Sequence, residues 1–312
     1  MATRSVSVSA IFGWIPQAFS LVGRALPTFA GAGLLSVVVS FVFSSPILFM
    51  VGLAGFDPAA LEGAQAAAML GKLLTAYGLM ILMYLVLYPP LMLGWSRLCQ
   101  QVDRGVGASA FEIFSPYRDP QAWLRAIGLI LVTMLIIVLM LGIFAAALWA
   151  PIMGFAQMSA VKSAGGTPQL PAGMGWLVLG YFVFLGVMLA VQWIQMVAFV
   201  EIALRPTGVF EALGLAIAAV ARNFLKLFLV AFCVGIVLVV VGAVIGLVFV
   251  VLFTAVSLIG PRAMTIGILL LEVPLMLVLY PLMFGGFYMM WKGLVGDVVV
   301  GALPDEGSSL AA

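Results

Sequence analysis

The chain has 312 residues, 65% of them hydrophobic and only 8% charged, with a net charge of +2. Soluble domains average about 25% charged residues, so this composition excludes a soluble fold and indicates a polytopic membrane protein. The 13 basic residues form no run, which argues against a nucleic-acid partner. The absence of histidine removes the commonest metal ligand and the commonest general base.

Residues 1–10 (MATRSVSVSA) are polar and predict a loose start. Ile11, Trp14, Ile15, Ala18, Phe19 and Val22 then recur at helical spacing, opposite Gln17, Ser20 and Gly23 and ending on Arg24. This reads as a short amphipathic helix lying in the membrane interface, with Pro16 in its first turn. No cleavable signal peptide is expected, because the first long apolar run begins near Pro27 and extends to about Gly55, too long for the apolar core of a signal.

Six spans follow, near 28–54, 72–98, 123–150, 174–203, 224–258 and 264–292, each longer than the roughly 20 residues that cross a hydrocarbon core. Asp119 is placed to cap the third span, with Pro120 in its first position and Trp123 at aromatic-belt depth. The fifth run leaves two options, one long tilted helix or a re-entrant segment around Gly242–Gly246. Gly260, Pro261 and Arg262 signal a turn before the sixth. The tail 303–312 is short, acidic and expected to be disordered.

The connectors differ in charge. Lys72, Lys162 and Arg262 belong to the odd ones; Arg4, Arg24, Arg97, Arg104, Arg118, Arg125, Arg205, Arg222, Lys226 and Lys292 belong to the termini and even ones. The positive-inside rule therefore places both termini in the cytoplasm. Phe12, Phe111 and Phe210 stand at equal intervals, and LVLYP occurs twice, at Leu85–Pro89 and Leu277–Pro281. The chain thus reads as one membrane domain, 1–302, built of three hairpin repeats (11–106, 110–205 and 209–297). The middle repeat lacks the proline in its second span.

Phe210–Phe228 (FEALGLAIAAVARNFLKLF), preceded by Val200–Pro206 (VEIALRP), and the opening Arg4–Arg24 (RSVSVSAIFGWIPQAFSLVGR) resemble motifs of an uncharacterised bacterial family of six-span inner-membrane proteins. In that family a cytoplasmic helix ending in an Arg-Asn-aromatic step feeds directly into a span. A looser similarity is to the membrane domain of some glycerophosphoryl diester phosphodiesterases. The resemblance implies six spans, cytoplasmic termini and the bacterial inner membrane. It implies no activity, because the phosphodiesterase's catalytic residues lie in a soluble domain with no counterpart here.

Few residues are candidates for chemistry. Glu272 is the lone charge between Met264 and Trp291, about 12 Å into the last span, where an ionised carboxylate must be paired or protonated. Tyr88 with Pro89 and Pro90, and Tyr280 with Pro281, mark two broken helices at matching positions, a pattern that can flank a binding site or merely kink the helices for packing. Gln192 and Gln195 share a face and read as interhelical hydrogen-bond glue or as part of a site. On the cytoplasmic edge Arg97, Arg104, Arg205 and Arg222, among Asp103, Glu201 and Glu211, are candidate headgroup or partner contacts or surface ion pairs. Glu201 and Arg205 are an i,i+4 pair. Cys99 and Cys233 form no CxxC and read as apolar packing residues. Catalytic and metal-binding motifs are absent, so no enzyme activity, cofactor or metal is expected.

The expected fold is an all-α, six-helix membrane bundle with interfacial helices on its cytoplasmic face. Two function classes remain open: a non-enzymatic scaffold or accessory subunit that binds lipid, a membrane protein or a second copy of itself, and a small permease using the kinked second and sixth spans with Glu272.

Overall fold

The structure is a computed structural model that describes the backbone of residues 3–53, 64–163, 174–257 and 261–296. Side chains are described over 3–42, 70–147, 178–240 and 276–296 and at isolated positions between those ranges. The described residues are mostly helical, without a strand among them: α1 (Val8–Arg24), α2 (Leu26–Leu53), α3 (Ala64–Asp103), a 3-10 helix (Ala110–Arg118), α4 (Pro120–Ser163), α5 (Met174–Leu204), α6 (Val209–Ser257) and α7 (Pro261–Val295). Among the described residues four helical segments, in α3, α4, α5 and α6, are long and apolar enough to cross a membrane. A fifth arises if α1 and the first part of α2, bent by 95°, count as one broken span. The expected tail 303–312 lies outside the described residues.

α1 begins at Val8, where the Ser7 hydroxyl accepts the Ala10 N–H at 3.2 Å. This earlier start corrects the placement of Pro16, which falls in the helix interior rather than the first turn. The expected apolar stripe also divides in two. Of its members Ile11, Ala18 and Val22 are buried, with α1 packed on α7, whereas Ile15 and Phe19 remain exposed; outside the stripe, Leu21 is buried and Phe12 exposed. Gly293 on α7 makes that packing possible, since a Cβ there would overlap the indole of Trp14.

The largest buried side chains, among them Trp95, Trp291, Tyr288, Phe29 and Phe199, gather at the end of the bundle that holds α1, the ends of α3, α5 and α7 and the starts of α4 and α6. Farther from α1 the helices present apolar side chains outward: Leu74 and Leu82 of α3, Leu135 and Val138 of α4, Tyr181 and Phe182 of α5, Val237 and Val239 of α6. Lipid is as apolar as leucine, so nothing drives these chains together; aromatic packing and polar bonds hold the α1 end instead.

Two further expectations, a separate helix at Phe210 and helices broken at prolines, are corrected. The segment from Phe210 to Arg222 is no separate interfacial helix but the first turns of α6, because no Gly or Pro lies between Leu215 and Phe224 to end the helix before the span. α6 runs through Gly242 and Gly246 without a break, as the reading of the fifth run as one long helix expects. The prolines do not break their helices: α3 continues through Pro89 and Pro90, and α7 through Pro274 and Pro281. The segments that follow Phe12, Phe111 and Phe210 are, respectively, an α-helix, a 3-10 helix and the start of a long helix.

The 3-10 helix sits against α3 at Gly94, where an added Cβ would collide with the Ile113 carbonyl. Ser109 caps its start, accepting the Phe111 N–H at 3.4 Å. At its other end Asp119 accepts the Ala122 N–H at 3.1 Å, and α4 starts at Pro120, as predicted.

Candidate functional site

Polar side chains at the α1 end form four ties between helices. The carboxylate of Asp103, at the end of α3, takes Lys292 Nζ at 2.5 Å and the Tyr288 hydroxyl at 3.0 Å, both from α7, and Arg24 from α1 at 3.3 Å. Glu201 on α5 is fully buried. It accepts the Trp291 indole N–H at 2.8 Å and pairs with Arg205 at 3.2 Å, while the Arg205 guanidinium lies 5.3 Å from the Trp291 ring and donates to the Gly296 carbonyl. Arg97 on α3 donates to the Ala203 carbonyl of α5 at 3.1 Å and to Asp119 at 3.0 Å, joining α3, α5 and the start of α4. The Ala122 N–H and the Arg97 guanidinium hold the Asp119 carboxyl below the usual carboxylate range.

The fourth tie fastens the extended residues before α1. Asn223 on α6 accepts the Val6 N–H at 3.0 Å and donates to the Arg4 carbonyl at 2.9 Å. Lys226 reaches the Val6 carbonyl at 2.8 Å, and Arg222 bonds to the Thr3 carbonyl. Of the four arginines expected at headgroups, Arg97, Arg205 and Arg222 therefore donate within the protein. Arg104 is exposed.

The paired prolines have a local explanation. Pro90 has no N–H to give to the Val86 carbonyl, its partner four residues back. That oxygen accepts the Trp123 indole N–H of α4 at 3.2 Å. The next carbonyl, Leu87, accepts the Tyr117 hydroxyl at 2.6 Å. Burial pushes the Tyr117 phenol up to about 12, so it remains a donor at any physiological pH. The stretch of α3 before Pro90 is thus a docking point for α4 and the 3-10 helix. In α7 Pro281 likewise frees the Leu277 carbonyl, and Gly33 of α2 packs closely there: a Cβ on it would stand 3.6 Å from that oxygen.

The tyrosines of the repeated LVLYP, on α3 and α7, both pack against the buried core. Tyr88 stacks on Tyr84 at 4.4 Å, and the Tyr280 hydroxyl is 3.4 Å from Ser40 Oγ on α2. Pro89 and Pro281 beside them are buried. Gln192 is exposed on α5 and Gln195 half-buried. Glu272 falls on helical backbone in α7, and its side chain lies outside the described residues.

The chain matches no family model, no curated protein and no solved structure.

Sequence reasoning missed several of them. Trp95 donates to Ser36 Oγ at 2.9 Å and stacks on Phe284 at 4.8 Å, centring the aromatic core. Trp291, Tyr288 and Asn223 carry three of the ties. Their signal is faint but real: a Trp, Tyr or Asn in an apolar run needs a partner for its polar atom. The last missed feature is a pair of adjoining cavities around Arg118, lined on one side by Val38, Val39, Val42, Leu87, Phe114 and Tyr117, and on the other by Ser109, Phe111, Glu112, Phe114 and Ser115.

Proposed function

We propose that this chain is an integral membrane scaffold or accessory subunit, without catalytic activity, that binds lipid or another membrane protein. It crosses a bacterial inner membrane six times with both termini in the cytoplasm. The observation that carries the reading is the use to which the polar groups are put. The buried and half-buried charges Asp103, Glu201, Arg97 and Arg205 serve joints between helices, and Trp123 closes the carbonyl that Pro90 leaves open. An end tied together by these bonds, with helices that present apolar side chains outward beyond it, suits a protein whose outer surface is its working part.

Orientation rests on the ten basic residues of the termini and even connectors. A reporter active only outside the cytoplasm, fused after Ala312, is expected to be silent, and robust activity would reverse the topology. The function is tested by purifying the protein in its native lipid and identifying by mass spectrometry what remains bound. Reproducible retention of a lipid or a membrane protein is expected.

The pairs of Tyr84 with Tyr88 and of Tyr280 with Ser40 favour a second reading, a permease in which these hydroxyls and Glu272 form an intramembrane site. It predicts solute uptake by the reconstituted protein that Glu272→Gln abolishes at equal expression. Such uptake would overturn the scaffold reading.

A further inference from the structure

The two cavities around Arg118 complement each other chemically. The first, about 420 Å³, is an open and almost wholly apolar groove between α2, α3 and the 3-10 helix. Val38 and Val42 on its α2 wall are exposed, so it opens onto the outer flank of the bundle. The second, about 370 Å³, shares Phe114 and Arg118 with the first and adds Glu112 and Ser115. Both volumes fall in the ordinary range for small-molecule sites.

The polar groups here are not committed elsewhere. Arg118 is exposed, and neither it nor Glu112 belongs to an ion pair among the described residues, in contrast to Arg24, Arg97, Arg205 and Lys292. Ser115 Oγ is covered and has no hydrogen-bond partner among the described residues. A buried hydroxyl left unpaired is rare enough in a folded protein to require a reason. Depth agrees as well: Tyr117 and Trp123, anchored to adjacent carbonyls of α3, are the residue types that settle at the membrane–water boundary.

We propose that these cavities hold one phospholipid with a primary-amine headgroup. Its acyl chain lies in the apolar groove, its phosphate on Arg118 and Ser115, and its ammonium on Glu112. One positive and one negative side chain match a zwitterion; an anionic glycerol headgroup would leave Glu112 facing no cation. A primary ammonium donates hydrogen bonds to a carboxylate. A trimethylated one is held by an aromatic cage, and Phe111, which is exposed, with Phe114, which is half-buried, does not enclose one. The assignment rests on the lipid-binding reading above and specifies its ligand.

The test uses the full-length protein in detergent with equal amounts of phosphatidylethanolamine, phosphatidylglycerol and phosphatidylcholine, with bound lipid counted by native mass spectrometry. Wild type is expected to retain phosphatidylethanolamine over the other two. Arg118→Gln should lower total retention roughly tenfold or more, the loss of a charge-assisted bond to phosphate. Glu112→Gln should keep phospholipid bound but equalise the amine and choline lipids. Val39→Phe, which fills the groove without altering charge, should displace all three, and Arg125→Gln should behave as wild type. A melting temperature equal to wild type confirms that each variant is folded.

Absence of preference in wild type, or wild-type retention by both Arg118→Gln and Val39→Phe, overturns the site. A preference for phosphatidylcholine overturns the primary-amine assignment. Either result leaves the scaffold reading standing on what copurifies from native membrane, whereas Glu272-dependent solute uptake removes that reading whatever the lipid counts show.

Discussion

Replacing Glu201 with leucine should destabilise the protein more than any other single change at the α1 end. The carboxylate is fully buried, with Arg205 at 3.2 Å and the Trp291 indole N–H at 2.8 Å. Glu201→Leu strands both partners. Removing one member of a buried ion pair costs about 3–5 kcal/mol, most of it the burden of the charge left behind. Arg205 keeps its bond to the Gly296 carbonyl and its contact with the Trp291 ring, which places the cost nearer the lower figure. For a chain of this length 1 kcal/mol moves the melting temperature by about 2 °C, so a fall of roughly 6–10 °C is expected in detergent, read by tryptophan fluorescence. Glu201→Gln, which retains an acceptor for Trp291, should lose less. The double variant Glu201→Leu with Arg205→Leu should recover much of the loss, because it removes the unpaired charge as well. A drop of under about 2 °C for Glu201→Leu, or a double variant no better than the single one, would refute the argument that a buried charge pair locks α5 to α7.

Three other outcomes follow from the same joints. Gly94→Ala forces a Cβ into the Ile113 carbonyl; backbone cannot yield as a flexible side chain can, so a loss of about 1–3 kcal/mol, with faster proteolysis between α3 and α4, is expected. Trp123→Phe leaves the Val86 carbonyl without its donor and should cost about 1 kcal/mol; restoring a backbone N–H with Pro90→Ala in that variant should return part of it, as thermal melts will show. Asp119 has a folded-state pKa below its unfolded value, so its contribution is fully present above the unfolded value of about 3.9 and is lost as pH falls through the lower folded one. Asp119→Asn keeps the helix cap but not the charge, so melting curves of the two proteins should differ at neutral pH and converge in acid.

Much of the membrane architecture was legible in residue order. Apolar runs located the helices to within a few residues at many ends, since a span needs only length and apolarity. The cap at Asp119 and Pro120 was equally plain, because capping is local chemistry within one turn. Boundaries failed where a local rule was applied with the wrong starting point. Ser7 begins α1 early enough to put Pro16 inside it, and the Arg-Asn-aromatic step after Val220 carries no residue that stops a helix.

The candidate site was far less legible. The i,i+4 spacing of Glu201 and Arg205 could be read directly, but not that Trp291, ninety positions away, would donate to the same carboxylate. Pro89 and Pro90 stood out as breaks, yet the Val86 carbonyl that Pro90 exposes is matched by Trp123, and Tyr117 takes the next carbonyl, Leu87, both from elements packed alongside. Arg118 looked like any other interfacial cation until the fold set it between an apolar groove and a polar one.

By itself, then, the sequence determined that this chain lives in a membrane, where its helices run and which groups need partners, because solvent preference and helix geometry act on neighbours along the chain. Only the tertiary structure decided which partners those groups find and where cavities remain. Asp103 with Lys292, Asn223 with Val6 and the walls of the Arg118 cavities meet across long stretches of chain, and helix packing in lipid, with no hydrophobic force to direct it, is set by the few polar and aromatic contacts that happen to fit.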